Sequence, residues 1–82
     1  MNKPKIIKFY SNTCGPCKVL DNFLKKANIE YEAIDVFDEK NTPIVTQYNI
    51  RSVPVLIKEE DGKEIARHVG IMTEEQLKEW CK

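Results

Sequence analysis

Residues 5–20 read KIIKFYSNTCGPCKVL, and the change of rhythm inside this stretch decides the fold. Ile6, Ile7, Phe9 and Tyr10 form a short β-rich run of the kind that suits a buried strand. From Cys14 onward the spacing changes. Val19, Leu20, Phe23, Leu24 and Ala27 recur at helical intervals and predict an apolar helix face that ends at Ala27, with Asn28 as the stop. Residues Ile29 to Phe37 then alternate loosely through Ile29, Tyr31, Ala33, Ile34 and Val36, which predicts a second strand. Strand, helix and strand with short joints make a βαβ unit, so these two strands are expected to be parallel.

The second half has a different pattern. Thr42-Pro43 marks a helix start, because a proline in the first turn gives up only an N–H that has no partner there, and Ile44, Val45 and Tyr48 supply the apolar side. Val53 to Glu59 reads as a strand, and Asp61-Gly62 is the strongest short hairpin signal in the chain. It turns Val55-Leu56-Ile57 back on the run from Ile65 to Val69 as an antiparallel pair, which Gly70 ends. Thr73-Glu74-Glu75-Gln76 then forms a capping box, with Met72 and Leu77 as its hydrophobic staple and Leu77, Trp80 and Cys81 as the inward side of a last helix. The expected order is β-α-β-α-β-β-α in one domain spanning residues 1–82.

Bulk properties narrow the function. A chain of 82 residues buries only about 60% of the surface its unfolded form exposes, so the core must be compact. Thirteen basic and thirteen acidic side chains cancel, which argues against nucleic acid or an anionic membrane as the main partner. No apolar run approaches the roughly 18–20 residues of a membrane span, and Met1-Asn2-Lys3-Pro4-Lys5 leads into too short an apolar segment for a secretory signal. A soluble, cytoplasmic monomer is the expectation. In a reducing compartment a close cysteine pair is metal-binding or catalytic rather than a staple.

Cys14 and Cys17 fall where the first strand hands over to the first helix. Unpaired N–H groups and the positive end of the helix dipole favour a thiolate there. Two intervening residues allow a small disulfide ring to close without refolding the helix. Gly15 permits close backbone approach, and Pro16 is tolerated in a first turn while stiffening the ring. Such a pair beside a βαβ unit is a signature of thiol–disulfide exchange. A zinc site would need four ligands, and the remaining soft donors are His68 and Cys81. A metal cluster shared between two copies is the other metal reading. Apart from such roles, Cys81 reads as a partly buried small hydrophobe, His68 as a surface or packed strand residue, and Trp80 as core.

The segments FYSNTCGPCK, IRSVPVLI, DGKEI and HVGIMTEEQLKEW resemble thioredoxin in sequence and in order, over nearly the whole chain. The length resembles the shorter, glutaredoxin-size version of that fold: a four-stranded mixed sheet flanked by three helices. The resemblance implies Cys14 as the attacking thiol and Cys17 as the resolving one, with no cofactor and no metal beyond the redox-active Cys14–Cys17 pair. It implies a cis-proline at Pro54, with Val53 presenting backbone to a bound substrate strand, and Gly70 keeping the groove open. The implied activity is reduction of disulfides in protein substrates, with a thioredoxin reductase or similar donor restoring the dithiol.

Two departures stand out. The family usually has tryptophan before the first cysteine, and this chain has Thr13, which removes a large apolar contact from the groove rim. Larger thioredoxins carry a buried acid where this chain has Lys8, and that inverts the charge. A charged Lys8 favours thiolates nearby. The expectation is that the acid relay is absent and that water, Glu30 or Glu32 serves instead, or else that the Lys8 amine snorkels to solvent. The alternatives to a protein disulfide reductase are a glutathione-linked glutaredoxin, to which GIMTEE is a poor match, and a metal-binding or docking module.

Overall fold

The apolar run at the start of the chain becomes a strand covered on both faces. In the computed structural model, which describes residues 4–81, β1 spans Lys5–Tyr10 and buries Ile6, Ile7, Lys8 and Phe9 in succession. Helix α1 (Gly15–Lys26) follows, then β2 (Glu32–Asp35), a single 3-10 turn at Glu39–Asn41, α2 (Thr42–Gln47), β3 (Val55–Glu60), β4 (Lys63–Val69) and α3 (Glu74–Trp80). The expected element order holds. Met1–Lys3, part of the stretch in which no secretory signal is expected, lie outside the described residues.

The strands lie in the order β2-β1-β3-β4. β1 pairs with β2 in parallel and with β3 antiparallel, and β3 pairs antiparallel with β4, so the sheet is mixed as expected. Side chains alternate across a strand. One face therefore carries Ile6 and Leu56, which pack with Leu20 and Leu24 of α1 and with Met72 and Leu77 around α3. The other face carries Ile7, Phe9, Ile34, Val55 and Ile57, covered by Ile44, Val45 and Tyr48 of α2 and its flank.

Three joints follow from local chemistry. Asn28 takes a left-handed conformation (φ 58°), and the N–H groups of Asn28 and Ile29 donate to the carbonyls of Lys25 and Leu24, at 3.1 Å each. That is a Schellman end, with asparagine where glycine is commonest. α2 ends the same way at Asn49 (φ 56°), with Ile50 N–H donating to Val45. Asp61 and Gly62, both at positive φ, make the tight hairpin turn whose twist matches the strands.

Three expectations need correction. The third strand begins at Val55 rather than Val53, since Pro54 has no N–H to give a ladder. The second strand is only Glu32–Asp35: Ile29 and Tyr31 pack on the helix-side core without a ladder, and Phe37 is 77% exposed. Val19 is 43% exposed, because the inward stripe of α1 is Cys17, Leu20 and Leu24.

Candidate functional site

The parallel β1–β2 pair sets Tyr10 opposite Asp35, so both strands end at the same edge of the molecule. Antiparallel β3 begins there, since Phe9 is opposite Val55, and β4 finishes there, since Val55 is opposite Val69. Sheet register alone thus gathers the turn to α1, the Val53-Pro54 segment and Gly70 at one end.

The turn is short and tied down. Cys14 N–H donates to the Ser11 carbonyl at 3.2 Å, and the hydroxyls of buried Ser11 and exposed Thr13 lie 3.4 Å apart. Cys14 caps α1 in an extended conformation, and its Sγ accepts the Cys17 N–H at 3.1 Å. Sulfur here does the work of a capping oxygen, satisfying one of the donors a helix start leaves open. No acidic residue occupies the first turn, so nothing there offsets the positive end of the dipole. Cys14 and Cys17 are joined as a disulfide, with Cα atoms 5.2 Å apart. Their exposures differ: Cys14 is partly accessible, whereas Cys17 is 2% exposed.

Around the pair, Pro16 sits in the first helical turn, exposed like Gly15. A side chain at Gly15 would meet nothing within 4 Å, so no part of this chain requires the close approach expected of that glycine. The bare position leaves the surface beside Cys14 open. The Val53–Pro54 peptide is cis, Pro54 is buried, and its carbonyl accepts the Gly70 N–H at 2.9 Å. Gly70 (φ 102°) likewise faces open space. Next to Val53 a hollow of about 270 Å³ is lined by Val36, Phe37, Val45 and Ile50, among others. Exposed Phe37, expected from the sequence to end the second strand, is instead an apolar rim residue at this end.

Lys8 departs most from expectation. It does not snorkel: it is 5% exposed, and its amine donates to Asp21 Oδ1 at 3.1 Å. The rings of Tyr10 and Tyr31 flank that amine, each centroid 5.1 Å away. Glu30 and Glu32, the acids expected to stand in for the missing relay, lie elsewhere. Glu32 stands opposite Ile7 and pairs with Lys5 at 2.9 Å, while Glu30 lines a separate cavity with Pro4 and Cys81. Asp21 is the functional candidate the sequence reading missed. The available signal was its place one helical turn after Cys17, on the stripe that faces the sheet.

The remaining candidates sit elsewhere. His68 faces the Ile71 carbonyl at 3.3 Å. Burial pushes the half-buried Cys81 thiol up in pKa, with Lys58 opposing. Trp80 packs on the helix-side core and is only partly buried, and its carbonyl accepts from Lys58 at 2.8 Å. Among the described residues, no group of three or more His, Cys, Asp or Glu side chains could hold a metal ion, and no helix is long and apolar enough to cross a membrane.

The family model described as thioredoxin matches residues 1–82. The chain belongs to the thioredoxin family. A thioredoxin of Mycoplasmoides gallisepticum is 36% identical, over 99% of this chain and 84% of that protein. A thioredoxin-like protein derived from the SPbeta prophage of Bacillus subtilis is 35% identical, over 87% of this chain and 88% of the relative. Among solved structures, a mutant thioredoxin of Halobacterium salinarum superposes with a TM-score of 0.83 at 28% identity, covering 98% of this chain and 73% of that one. Family and bonded cysteine pair together identify a thiol–disulfide oxidoreductase of thioredoxin type.

Proposed function

We propose that this thioredoxin works as a reductase of protein disulfides, with Cys14 attacking and Cys17 resolving. The observation that carries the assignment is the difference in access: an incoming disulfide can reach partly exposed Cys14, whereas Cys17 is buried behind it. Cys14 also occupies the cap, where the Cys17 N–H and the helix dipole favour a thiolate. In the cycle, the Cys14 thiolate attacks one sulfur of the substrate disulfide and expels the other as a thiolate. Cys17 then attacks Cys14 and closes the Cys14–Cys17 bond, releasing the second substrate sulfur. Two electrons pass from the dithiol to the substrate.

The substrate strand lies along Thr13, Val53, Pro54 and Gly70, with Gly15 and Pro16 shaping the ring and Phe37 extending the apolar rim. A thioredoxin reductase or similar donor returns the pair to the dithiol. The chain needs no cofactor and acts as a monomer in the cytoplasm, where such a donor keeps the pair reduced.

Insulin-disulfide reduction with dithiothreitol tests this, comparing the native chain with Cys14→Ser and Cys17→Ser. The native chain should be active and both variants inactive, with Cys17→Ser accumulating a mixed disulfide on Cys14. A folded but inactive native chain would sink the reductase assignment. Trapping by Cys14→Ser instead would reverse the two roles.

A further inference from the structure

Resting on the dithiol cycle above, we propose that Asp21 accepts the proton of the Cys17 thiol and that Lys8 is the positioning residue that holds Asp21 in place. Cys17, Leu20, Asp21 and Leu24 form one stripe of α1 at helical spacing. The other three are buried, and Asp21 is the charged member, its side chain 28% exposed. A lysine buried on a central strand is costly without an anion, and Lys8 finds that anion in Asp21 at 3.1 Å. The pair is therefore fixed by burial as well as by attraction.

Cys17 and Asp21 both line a cavity of about 160 Å³, together with Lys8, Tyr10, Ser11, Asn12 and Lys18. That volume has room for more than one water, at about 30 Å³ each. Cys17 is nearly closed to the surface, so its proton has this space to enter. The titratable and charged groups around Asp21 are Lys8 and Tyr10 from β1 and Lys18 and Lys25 from its own helix, with Tyr31, from the segment before β2, flanking the Lys8 amine. Among the described residues, no other carboxylate lines the cavity. Oδ2 of Asp21 lies 3.5 Å from the exposed Lys25 amine, which gives the carboxyl an outlet toward solvent.

The Cys17 S–H gives its proton through cavity water to the Asp21 carboxylate. The Cys17 sulfur attacks Cys14 Sγ, and the Cys14–Cys17 bond forms as the bond from Cys14 to the substrate sulfur breaks. The substrate leaves as a thiolate with the electron pair of the broken bond and takes its proton from solvent. Asp21 later loses its proton on the side facing Lys25.

Stopped-flow reaction of the reduced protein with dithiobis-nitrobenzoate separates the two cysteines, in a Cys81→Ser background that removes the third thiol. The first release of thionitrobenzoate reports attack by Cys14, and the second reports attack by Cys17. Asp21→Asn should leave the first phase unchanged and slow the second about a hundredfold near pH 6.5. The deficit should close above about pH 9, where a thiol ionises unaided. Asp21→Glu should recover most of the rate. A second phase that is unchanged, faster, or slowed equally at every pH overturns the proposal, the last because it reports misplaced sulfur rather than lost proton transfer. If Asp21→Asn does not fold, Lys8→Met combined with Asp21→Asn removes both charges and carries the same expectations. Absence of the first phase in the native chain would instead sink the dithiol cycle itself.

Discussion

At the scale of single residues, the three cysteines differ in what surrounds each sulfur. Cys14 caps a helix, Cys17 lies behind it, and Cys81 is half-buried at the end of α3, where burial pushes its thiol up. The thiolate is the reactive form. Iodoacetamide at neutral pH should therefore label Cys14 of the reduced protein first and Cys81 far more slowly, with Cys81 labelling rising steeply as the solution becomes alkaline. Peptide mapping by mass spectrometry reads the order, and equal labelling of Cys14 and Cys81 would count against both assignments. Glu64 shows the opposite shift. Hydrogen bonds from Arg67 at 2.8 Å hold its carboxyl below the usual range, with burial opposing and the Arg67 charge adding. A lowered folded value means that the stabilisation is present above the unfolded value of about 4.3 and is lost as pH falls through the folded one. The pair is about one-third exposed and screened, so Glu64→Gln should cost only about 0.5 kcal/mol at pH 7 and nothing in strong acid. Urea titrations at both pH values check the sign.

At the scale of elements, helix ends carry much of the definition. α1 and α2 both stop at an asparagine held in the left-handed region, Asn28 and Asn49. A residue with a full Cβ resists that conformation, while asparagine tolerates it and glycine accepts it freely. Asn28→Ala and Asn49→Ala should each cost about 1 kcal/mol, and the glycine variants should cost nothing or stabilise slightly. A urea midpoint that falls at unchanged slope is the expected readout, and equal behaviour of alanine and glycine would remove the left-handed cap as the cause. These ends also show what the sequence made legible. Asn28 as a stop, the Asp61-Gly62 turn and the Thr73–Gln76 capping box were readable because each acts through neighbours in the chain. The length of β2 was not, because apolar spacing reports burial rather than pairing. Ile29 and Tyr31 are partly buried against α1 and α3 without joining the ladder. Asp21 stayed hidden for a related reason: its partner Lys8 lies 13 positions away, and only the packing of α1 on β1 brings them together.

At the scale of the whole molecule, the sheet divides the core into two layers that share the backbone of β1 and β3. The layer under α1 and α3 holds Ile6, Leu20, Leu24, Leu56, Met72 and Leu77, and the layer under α2 holds Ile7, Phe9, Ile34, Val55 and Ile57. A chain of this length has roughly 4–12 kcal/mol of stability in all, so either layer alone is too little to spare. Leu24→Ala should cost about 3 kcal/mol, and Ile6→Val and Ile57→Val about 1 kcal/mol each. Leu24 and Ile57 touch opposite faces and share no cluster, so their effects should add to within about 0.5 kcal/mol. Leu24 and Ile6 belong to one cluster, where the cavity left by the first change alters the cost of the second, and their sum should fail by more than that. Equilibrium urea unfolding of the three single and two double variants measures both cycles. Equal coupling in the two would mean that the sheet transmits packing changes between its faces. The Cys14–Cys17 turn would then be held by the whole core rather than by the α1 layer on which it rests.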